Sequence, residues 1–507
     1  MTRLPLVERL AAVPDAAAVG ERFADLPFLL LLDSTADRER TGRYSFLTAD
    51  PYSVIRSRGS SAERLGRGEE TWTPLAGDVS SALRAALAPL ATNPVAGLPP
   101  FQGGAAGYIG YDWGATLERL PQARHDDLAL PDVVLGLYDW VLAWDHCERA
   151  AWIISTGIPP DGGRREQSAR ERLAAVRTRL GSPGEPPALA SRLAARRESA
   201  RHRGLTGSTT GGAPSYPVLD VDDAEAIGLR STFTHRGYLS AVARVREYIL
   251  AGDIFQANLS QRFQAGLAEP PLAFYRRLRR TNPAAFGAFF DVGDFAVLSV
   301  SPERFLRLSG RRVETRPIKG TRPRGLGPMH DALLGRVLAE SDKDRAENVM
   351  IVDLLRNDLS RVCRAGTVRV PELFALEQHP TVHHLVSTVV GELEPGRDAV
   401  DLLRVAFPGG SITGAPKVRA MEIIAELEPT RRGVYCGSLG YLSPTGEMDT
   451  SIAIRTAVVR GSDVYFQAGG GIVADSEPEA EYRETLDKAR GIIQALADSH
   501  RASPTAP

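Results

Sequence analysis

The chain has 507 residues, which is enough for two or three ordinary domains or for one large domain with insertions. Its 61 lysines and arginines nearly balance its 62 aspartates and glutamates, so the bulk charge indicates neither nucleic-acid binding nor binding to anionic membranes. Three widely spaced cysteines without a CxxC pair argue against a disulfide framework and a zinc site, and they favour a reducing, cytoplasmic location.

The first 155 residues alternate short apolar runs with turns, a pattern typical of strands. Glu8 and Arg9 interrupt the apolar core that a signal peptide would need, and the longest apolar run, residues 26–32, is too short to cross a bilayer. Strands are predicted at residues 27–34, 133–145 and 150–155, and a helix is predicted at residues 80–91.

Residues 156–231 differ in composition from the regions on either side. An Arg/Ala/Glu-rich stretch of helical character leads into a Gly/Ser/Thr/Pro tract, residues 203–217, that has no apolar periodicity. We interpret residues 156–231 as an insertion or linker that is partly disordered. The last residues, 499–507, are interpreted as a disordered tail.

Residues 232–498 are denser in predicted secondary structure. Tyr238, Val242, Val245 and Ile249 fall on one face of an amphipathic helix. The irregular order of strands and helices favours an α+β fold over a doubly wound parallel sheet. Further strands are predicted at residues 256–267 and 296–308, and further helices at residues 344–362 and 479–497.

Lys319 is the single lysine of the stretch ETRPIKGTRPRG, residues 314–325, which also contains three arginines. A solvated loop lysine is the ordinary interpretation of such a residue. The alternative is an amine that burial and neighbouring positive charges keep partly neutral, so that it can act as a nucleophile. The residues of this stretch leave both interpretations open.

Two predicted helices carry carboxylates in unusual places. Glu347 shares a face with the apolar Met350 and Ile351, and Glu481 and Glu484 share a face at a spacing of three. A first-turn glutamate favoured by the helix dipole and a solvated acidic face are the ordinary explanations. A buried carboxylate would instead need a cation, a metal or a proton as its partner.

Three consecutive glycines, Gly469, Gly470 and Gly471, follow a predicted strand just before the second acidic helix. Their bare backbone would suit an anion, but the spacing is neither a Walker loop nor GxGxxG, so a nucleotide is not indicated. Together with the acidic helices, the glycines suggest a carboxylate ligand that a hard cation such as Mg²⁺ bridges to the protein.

Six motifs, in this order, resemble the chorismate-using enzymes: GDIFQANLSQRF, SPERFL, PIKGTRPRG, ENVMIVDLLRND, HHLVSTVVGEL and a long block that begins FPGGSITGAPK. The resemblance covers residues 234–496 and extends more weakly to LLLLDS, GRYSFLTADP and GGAAGYIGYD. The family comprises anthranilate synthase component I, aminodeoxychorismate synthase component I, isochorismate synthase and salicylate synthase. It implies a chorismate-binding α+β fold with antiparallel sheets packed as a sandwich, surrounding helices and a central active-site cleft. Residues 232–498 would then form the catalytic region.

Two positions separate the branches of this family. Anthranilate synthases resemble this chain but carry alanine at the position of Lys319, whereas aminodeoxychorismate synthases carry a lysine whose amine attacks C2 of chorismate. Isochorismate and salicylate synthases carry a water-activating lysine where this chain has Gln256. The resemblance therefore implies amination of chorismate at C4 through a covalent intermediate on Lys319.

The resemblance also implies roles by position. Glu303 matches the general acid that protonates the departing hydroxyl, and its pKa should be raised so that it stays protonated. Glu347 and Glu484 match the two Mg²⁺ ligands. The residues that match contacts to the substrate are Gly320, Thr321, His384, Ser411, Tyr435, Arg455, Gly469, Gly470 and Gly471.

Three other side chains in these motifs have no clear role from the resemblance. His379 and His383 have no counterpart and are treated as structural. Lys417 either adds to a positive field around the substrate or is an ordinary lysine at the start of a helix.

The N-terminal region, residues 1–155, resembles that of anthranilate synthase component I and implies a tryptophan pocket. Anthranilate synthases usually show NPSPYM where this chain has NPAAFG, so feedback inhibition is not implied, and a structural tryptophan and an empty pocket both stay open. The residues that match the pocket are Ser34, Arg43, Tyr44, Ser45, Phe46, Ala285, Phe286 and Gly287.

The expected activity is conversion of chorismate and ammonia to 4-amino-4-deoxychorismate, on the way to 4-aminobenzoate and folate. The chain carries no glutaminase signature, so a separate glutamine amidotransferase subunit is expected to supply the ammonia. One alternative is anthranilate synthase component I, against which Lys319 argues. The other is a non-catalytic, amino-acid-binding regulatory subunit, which would not need Glu303, Lys319, Glu347 and Glu484 together.

Overall fold

The computed structural model describes residues 5–158, 164–181, 212–379 and 382–502. None of the helices in these ranges combines the length and the apolar character needed to cross a membrane. The helices are α1 (Ala16–Glu21), α2 (Val79–Leu87), α3 (Gly114–Leu117), α4 (Arg165–Gly181), α5 (His235–Leu250), α6 (Pro271–Thr281), α7 (Pro328–Ala339), α8 (Asp342–Ser360), α9 (Ala399–Ala406), α10 (Lys417–Leu427) and α11 (Pro478–Ala502). The strands are β1 (Leu6–Arg9), β2 (Leu30–Asp33), β3 (Tyr44–Thr48), β4 (Ser53–Arg58), β5 (Ser61–Gly66), β6 (Thr73–Leu75), β7 (Gly104–Ile109), β8 (Val133–Tyr138), β9 (Trp140–Asp145), β10 (Ala150–Ser155), β11 (Tyr216–Pro217), β12 (Arg230–Ser231), β13 (Gln256–Gly266), β14 (Phe286–Asp291), β15 (Ala296–Ser301), β16 (Arg304–Ser309), β17 (Arg312–Thr315), β18 (Ile318–Pro323), β19 (Arg369–Gln378), β20 (Val382–Glu392), β21 (Gly414–Ala415), β22 (Ser438–Leu442), β23 (Met448–Ile452), β24 (Thr456–Arg460) and β25 (Asp463–Ile472).

The strands form two large sheets. Sheet A has 13 strands in the order β1-β10-β9-β3-β2-β14-β15-β24-β25-β13-β12-β11, with β21 paired to β13. Sheet B has 12 strands in the order β18-β20-β17-β16-β23-β22-β7-β8-β4-β5-β6, with β19 paired to β20. All pairings between these strands are antiparallel, which confirms the predicted α+β class.

The two sheets pack face to face over a buried apolar cluster to which both contribute. Phe290 on β14 of sheet A and Tyr108 on β7 of sheet B lie 6.4 Å apart between ring centroids. Phe46 on β3 and Tyr441 on β22 form a second edge-to-face pair at 5.4 Å. Such aromatic pairs stabilise the contact beyond the apolar area that they bury. The predicted sandwich of antiparallel sheets is therefore confirmed.

Helices cover the outer faces of the sandwich. Tyr238 on α5 and Ile492 on α11 belong to a buried cluster that includes strands of sheet A. Leu83 on α2 and Ile351 on α8 belong to a second cluster that includes strands of sheet B. The molecule thus has four layers, in the order helices, sheet A, sheet B, helices.

Each sheet joins a block of N-terminal strands to a block of strands from later in the chain. In sheet A, β2 pairs with β14, more than 250 residues further along the chain, and in sheet B, β7 pairs with β22. The predicted division into regions 1–155 and 232–498 stays a description of the sequence. In the structure, the two regions share both sheets and the core between them.

The predicted insertion, residues 156–231, contains ordered structure. Helix α4 buries Ala169 and Val176, and β11 and β12 extend one edge of sheet A. Residues 159–163 and 182–211, including most of the predicted flexible tract, lie outside the described residues. At the other end, α11 continues to Ala502, because Ser499 is buried and Arg501 pairs with Asp223 at 3.1 Å. Residues 499–502 of the predicted tail are therefore helical, and residues 503–507 lie outside the described residues.

Candidate active site

Lys319 lies on a strand, β18, at the edge of sheet B. The pairing of β18 with β20 is irregular between Ile318 and Thr321, so the residues around Lys319 leave the regular ladder. The Lys319 Nζ donates a hydrogen bond to the backbone carbonyl of Ser411 at 3.1 Å. Burial lowers the pKa of Lys319, although the nearby carboxylates of Glu347 and Glu303 oppose the shift.

The three arginines next to Lys319 in the sequence do not cause this lowered pKa. Each of them forms an ion pair with a carboxylate of its own. The pairs are Arg316–Glu377 at 2.5 Å, Arg322–Asp344 at 2.9 Å and Arg324–Asp331 at 2.6 Å. The prediction that these arginines lower the pKa of Lys319 is wrong. Burial is the main cause of the lowered pKa, and Lys488 is the cation that lowers it further.

Glu303 lies between β15 and β16 and is only 4% exposed. Burial raises the pKa of its carboxyl group to about 7, against opposing hydrogen bonds from the Ser411 hydroxyl and the Ile318 backbone N–H. The attraction of Lys319 also opposes this shift. The direction is the one expected for a general acid. Ser411 therefore contacts both side chains, its carbonyl accepting from Lys319 and its hydroxyl donating to Glu303.

Carboxylates from two helices face this pair. Burial raises the pKa of Glu347 on α8, and the negative charge of Glu484 on α11 adds to the shift. Burial also raises the pKa of Glu481, whose carboxylate accepts a hydrogen bond from Ser476 at 2.6 Å. The helices α8 and α11 thus bring three acidic groups toward Lys319, two of them with raised pKa values.

Lys488 is a residue of this site that the sequence analysis did not single out. Its ammonium lies 2.6 Å from Glu484 Oε1 and donates to the carbonyl oxygen of Gly469 at 2.8 Å. Burial acts to raise the pKa of Glu484, but the positive charge of Lys488 and its hydrogen bond lower it overall. The spacing of four residues after Glu484 on a predicted helix was the signal available in the sequence.

The acidic groups fit a hard divalent cation in their chemistry. A Cβ atom on Gly470 would lie 3.0 Å from Glu481 Oε2 and 3.3 Å from Glu484 Oε1, so glycine lets these carboxylates approach β25 closely. Mg²⁺ prefers such oxygen donors and usually keeps water or substrate oxygens in its shell. Among the described residues, no three His, Cys, Asp or Glu side chains form a metal site by themselves. Glu347 and Glu484, with Glu481 beside them, would hold the ion together with other oxygen donors.

The strand with Lys319 is held against its neighbours by the next two residues. Gly320 has a φ of +83°, and a Cβ atom there would lie 2.8 Å from Leu338 of α7 and 3.0 Å from Asp344 of α8. Thr321 Oγ1 lies 2.9 Å from Nδ1 of His384 on β20. Burial lowers the pKa of His384 to about 4, so this imidazole is neutral at neutral pH.

The other predicted substrate residues lie around the same group. Gly469 and Gly471 pair with β13 in sheet A. Arg455 donates to the backbone carbonyl of Lys488, and burial lowers its pKa while Tyr435 and Glu484 oppose the shift. Arg455 also acts on His384 as a nearby positive charge. The structure therefore brings the predicted catalytic, metal and substrate residues into one connected cluster, although their roles stay predictions.

Three side chains left without a clear role have ordinary structural partners. Lys417 pairs with the buried Asp358 at 2.7 Å and also donates to the carbonyl of Ala406, which favours the helix-start interpretation. His383 lies 2.8 Å from Asp331. The rings of His379 and His384 lie 5.1 Å apart between centroids and are inclined at 60° to each other.

Comparison with known proteins decides the family. Residues 30–494 match the family model described as chorismate binding enzyme. This chain belongs to the chorismate-binding enzyme family. It is 42% identical to aminodeoxychorismate synthase component 1 of Salmonella typhimurium, over 98% of this chain and 99% of that protein. It is also 40% identical to anthranilate synthase component 1 of Cereibacter sphaeroides, over 92% of this chain and 89% of that protein.

Solved structures of chorismate-binding enzymes share the fold. Anthranilate synthase component I from Streptococcus pneumoniae matches with a TM-score of 0.73 and 31% identity, over 89% of this chain and 92% of that chain. The menaquinone-specific isochorismate synthase of Escherichia coli matches with a TM-score of 0.67, over 97% of this chain and 95% of that chain. Its 18% identity makes this second likeness one of fold alone.

Gln256 is the residue that the resemblance to chorismate-using enzymes predicts to separate branches of the family. Its side chain is 2% exposed, and neither polar atom of its amide has a hydrogen-bond partner in the described residues. A Cβ atom on Gly471 would overlap its Nε2, so the amide lies directly beside the glycine strand. No base stands at this position of the site.

A separate cavity of about 230 Å³ lies where the chorismate-binding enzyme resemblance places the tryptophan pocket. Seven of the eight predicted residues line it: Ser34, Arg43, Tyr44, Phe46, Ala285, Phe286 and Gly287. Ser45 is buried behind the wall, where its hydroxyl lies 2.7 Å from Nε2 of His146. Arg304 also lines the cavity, and its neighbour in the chain is Glu303. The cavity and the Lys319 cluster therefore meet at the start of β16.

Proposed function

We propose that this chain is component 1 of an aminodeoxychorismate synthase, which converts chorismate and ammonia to 4-amino-4-deoxychorismate for 4-aminobenzoate and folate synthesis. The observation that carries the proposal is the pairing of Lys319, an amine with lowered pKa, with Glu303, an acid with raised pKa, on either side of Ser411. The relatives with this name, at 40 to 42% identity over nearly the whole chain, support it. Three unpaired cysteines support a reducing, cytoplasmic location.

In the proposed mechanism, Lys319 supplies the nucleophile. Its neutral Nζ forms a bond to C2 of the chorismate ring, both ring double bonds shift by one position, and the C4–O bond breaks. Glu303 gives its proton to the departing oxygen, so that water leaves. Ammonia then forms a bond to C4, both double bonds shift back, and the C2–Nζ bond breaks to release Lys319. The added nitrogen gives a proton back to Glu303, which leaves the para-amino product.

The surrounding residues would position the substrate for these steps. Arg455 suits a carboxylate of the substrate because a planar guanidinium binds it in two places. Glu347 and Glu484 would hold Mg²⁺, which when bound neutralises the ring carboxylate of chorismate. Gln256 offers no base to activate water, which favours amination over hydration of the ring.

The ammonia is proposed to come from a separate glutamine amidotransferase subunit, as the name component 1 of the relatives implies. The 230 Å³ cavity is proposed as the counterpart of the family's tryptophan pocket. A rise of melting temperature with added tryptophan would show that the cavity takes this ligand, and turnover in its presence would show whether it inhibits.

Anthranilate synthase component I is the second candidate function. Its support is the 40% identity to the protein of that name from Cereibacter sphaeroides and the 0.73 TM-score to the structure from Streptococcus pneumoniae. Lys319 argues against it, since direct attack of ammonia at C2 would not need a lysine nucleophile.

The deciding experiment is incubation of the purified chain with chorismate, Mg²⁺ and ammonium, followed by identification of the product. 4-Amino-4-deoxychorismate, seen as 4-aminobenzoate after addition of a lyase, supports the proposal. 2-Aminobenzoate as the main product would replace it with the anthranilate synthase assignment.

A further inference from the structure

The contact between Lys488 and Glu484 places an ammonium on a carboxylate that is also a proposed metal ligand. We propose that Lys488 is the counter-ion of the metal site before metal binds, and that Mg²⁺ binding displaces its ammonium from Glu484. This inference rests on the proposed function only in that it takes Glu484 as a metal ligand. Lys488 would act as a positioning residue that changes partner when the metal enters.

Two features place the Lys488 ammonium beside Glu484. Both residues lie on α11 at a spacing of four, with the glutamate nearer the N-terminus, which is the favourable order for such a pair. The same ammonium is 2.8 Å from the carbonyl oxygen of Gly469 on β25. The ammonium of Lys488 therefore contacts both the helix and the strand.

Three lysines place positive charge near this acidic group, and Lys319 and Lys343 act on Glu484 only as nearby charges, whereas Lys488 touches it. In the described residues, neither Glu347 nor Glu481 forms an ion pair, and burial raises the pKa of both. Lys319 donates to a backbone carbonyl instead of a carboxylate. Lys488 is thus the ammonium in direct contact with this acidic group.

A divalent cation and an ammonium compete for Glu484. If both stayed, two positive groups would share one carboxylate at short range, and their repulsion would weaken the binding of the metal. The ion brings more charge to the group of three carboxylates than the ammonium does. The lysine side chain is about one-third exposed, so it has room to leave. Once released, its ammonium is available to an anionic substrate, so that metal binding prepares substrate binding.

The first test needs only the wild-type protein without substrate. Lysines are labelled by brief reductive methylation with and without Mg²⁺, and labelling at each lysine is measured by mass spectrometry. Lys488 is expected to be labelled several-fold faster with Mg²⁺, because its amine has lost two hydrogen-bond acceptors. Lys343 is the internal control, since it acts on Glu484 as a nearby charge without a hydrogen bond to it. Unchanged or slower labelling of Lys488 would overturn the displacement.

The second test measures Mg²⁺ affinity by calorimetry in the absence of chorismate. Lys488→Met should tighten Mg²⁺ binding by about tenfold, because the competing ammonium is gone. Lys343→Met also removes one positive charge near Glu484, but Lys343 does not contact Glu484. This variant should therefore change the Mg²⁺ affinity much less. Lys488→Arg keeps a cation at the position and should stay close to wild type.

The outcomes separate this inference from the proposed function. Weaker Mg²⁺ binding in Lys488→Met would show that Lys488 supports the site structurally, and equal tightening in both Met variants would show only a long-range charge effect. Either result overturns the proposed displacement of Lys488 from Glu484, as does a wild-type protein that binds no Mg²⁺. Neither test depends on the identity of the product. An ortho product would therefore overturn the proposed function without overturning the proposed displacement of Lys488.

Discussion

Ser411 connects the two side chains on which the proposed chemistry depends. Its carbonyl accepts from Lys319, and its hydroxyl donates to Glu303. Burial lowers the pKa of the amine and raises the pKa of the acid to about 7, so the two values approach each other. Both shifts favour the forms that attack on the ring and departure of the hydroxyl require, which are a neutral amine and a protonated carboxyl group.

Replacement of Lys319 tests the nucleophile. Lys319→Ala should lose para-amination by more than about a hundredfold while chorismate still binds, and Lys319→Arg should be equally inactive because guanidinium stays protonated. An adduct of chorismate that lacks its hydroxyl should be trapped on Lys319 by mass spectrometry when ammonia is absent. Arg336→Ala, at a highly exposed position, is the control. If Lys319→Ala forms 4-amino-4-deoxychorismate at the wild-type rate, Lys319 is an ordinary lysine and not the nucleophile.

Replacement of Glu303 tests the acid through the pH dependence of the rate. The wild-type rate should fall above pH about 7, where Glu303 loses its proton, and burial should let Lys319 lose its own proton at a lower pH than an ordinary lysine does. Glu303→Gln should lower the rate by about 10² to 10⁴ and remove the alkaline fall. Rates are measured with ammonium adjusted to constant free ammonia. An alkaline fall that persists in Glu303→Gln would assign it to another group.

Glu303 also links folding stability to pH, independently of the reaction. Its pKa is about 7 in the folded chain, against 4.5 for an ordinary glutamate. Between these two pH values the folded chain therefore holds more protons than the unfolded chain. The free energy of unfolding should therefore fall as pH rises from 4.5 to about 7, by at most about 1.4 kcal/mol for each pH unit. Denaturant titrations at pH 5 and pH 8 should show a smaller loss for Glu303→Gln than for wild type.

At the scale of elements, the contact of β18 with α7 and α8 decides where Lys319 lies. A solvated loop is one of the two interpretations that the sequence leaves open for Lys319 in PIKGTRPRG. The structure has a strand there, since β20 offers a partner edge and the arginines pair with Asp344 and Asp331 on the covering helices. A local pattern does not contain that partner edge, which lies some 60 residues away in the chain.

Gly320 tests this contact. Gly320→Ala should destabilise the protein by about 1–3 kcal/mol and impair turnover, because the residue has a positive φ and its Cβ would meet Leu338 and Asp344. Gly327→Ala is the matched control, since a Cβ atom there has open space around it. Thermal unfolding and turnover are measured for both variants. Equal stability of the two would show that the helices do not press on β18 at Gly320.

At the scale of the whole molecule, the active-site cluster is built by both sheets. Lys319 and His384 lie on sheet B, whereas Gln256 and the three glycines lie on sheet A. Glu347 and Glu484 come from helices in the two outer layers. The N-terminal region supplies strands to both sheets, so the site depends on the entire sandwich.

The source of ammonia is a prediction at this scale. The chain alone should form product with ammonium but not with glutamine, because its proposed site has no glutaminase. Addition of a cognate amidotransferase subunit should confer the use of glutamine, with the amide nitrogen of labelled glutamine found in the product. Product from glutamine by the chain alone would show that it has an amidotransferase activity of its own.

Much of the secondary structure follows from the sequence alone. Apolar runs predicted a strand at residues 133–145, which the structure divides into β8 of sheet B and β9 of sheet A, and helical periodicity predicted α5, α8 and α11. These elements are long and regular, so their own residues carry the signal. The family also followed from the sequence, because six motifs in a fixed order are a property of the linear chain.

Only the tertiary structure decided how the site balances its charges. The sequence shows three arginines beside Lys319, but carboxylates from distant elements neutralise them, and burial lowers the pKa instead. The partner of Glu484, Lys488, was visible as a spacing on a helix, but its second contact with Gly469 exists only in the fold. Burial and ion pairing depend on groups that are close in space and far apart in the chain, so the sequence by itself determines which residues are candidates for the chemistry and the packed sandwich determines their charge.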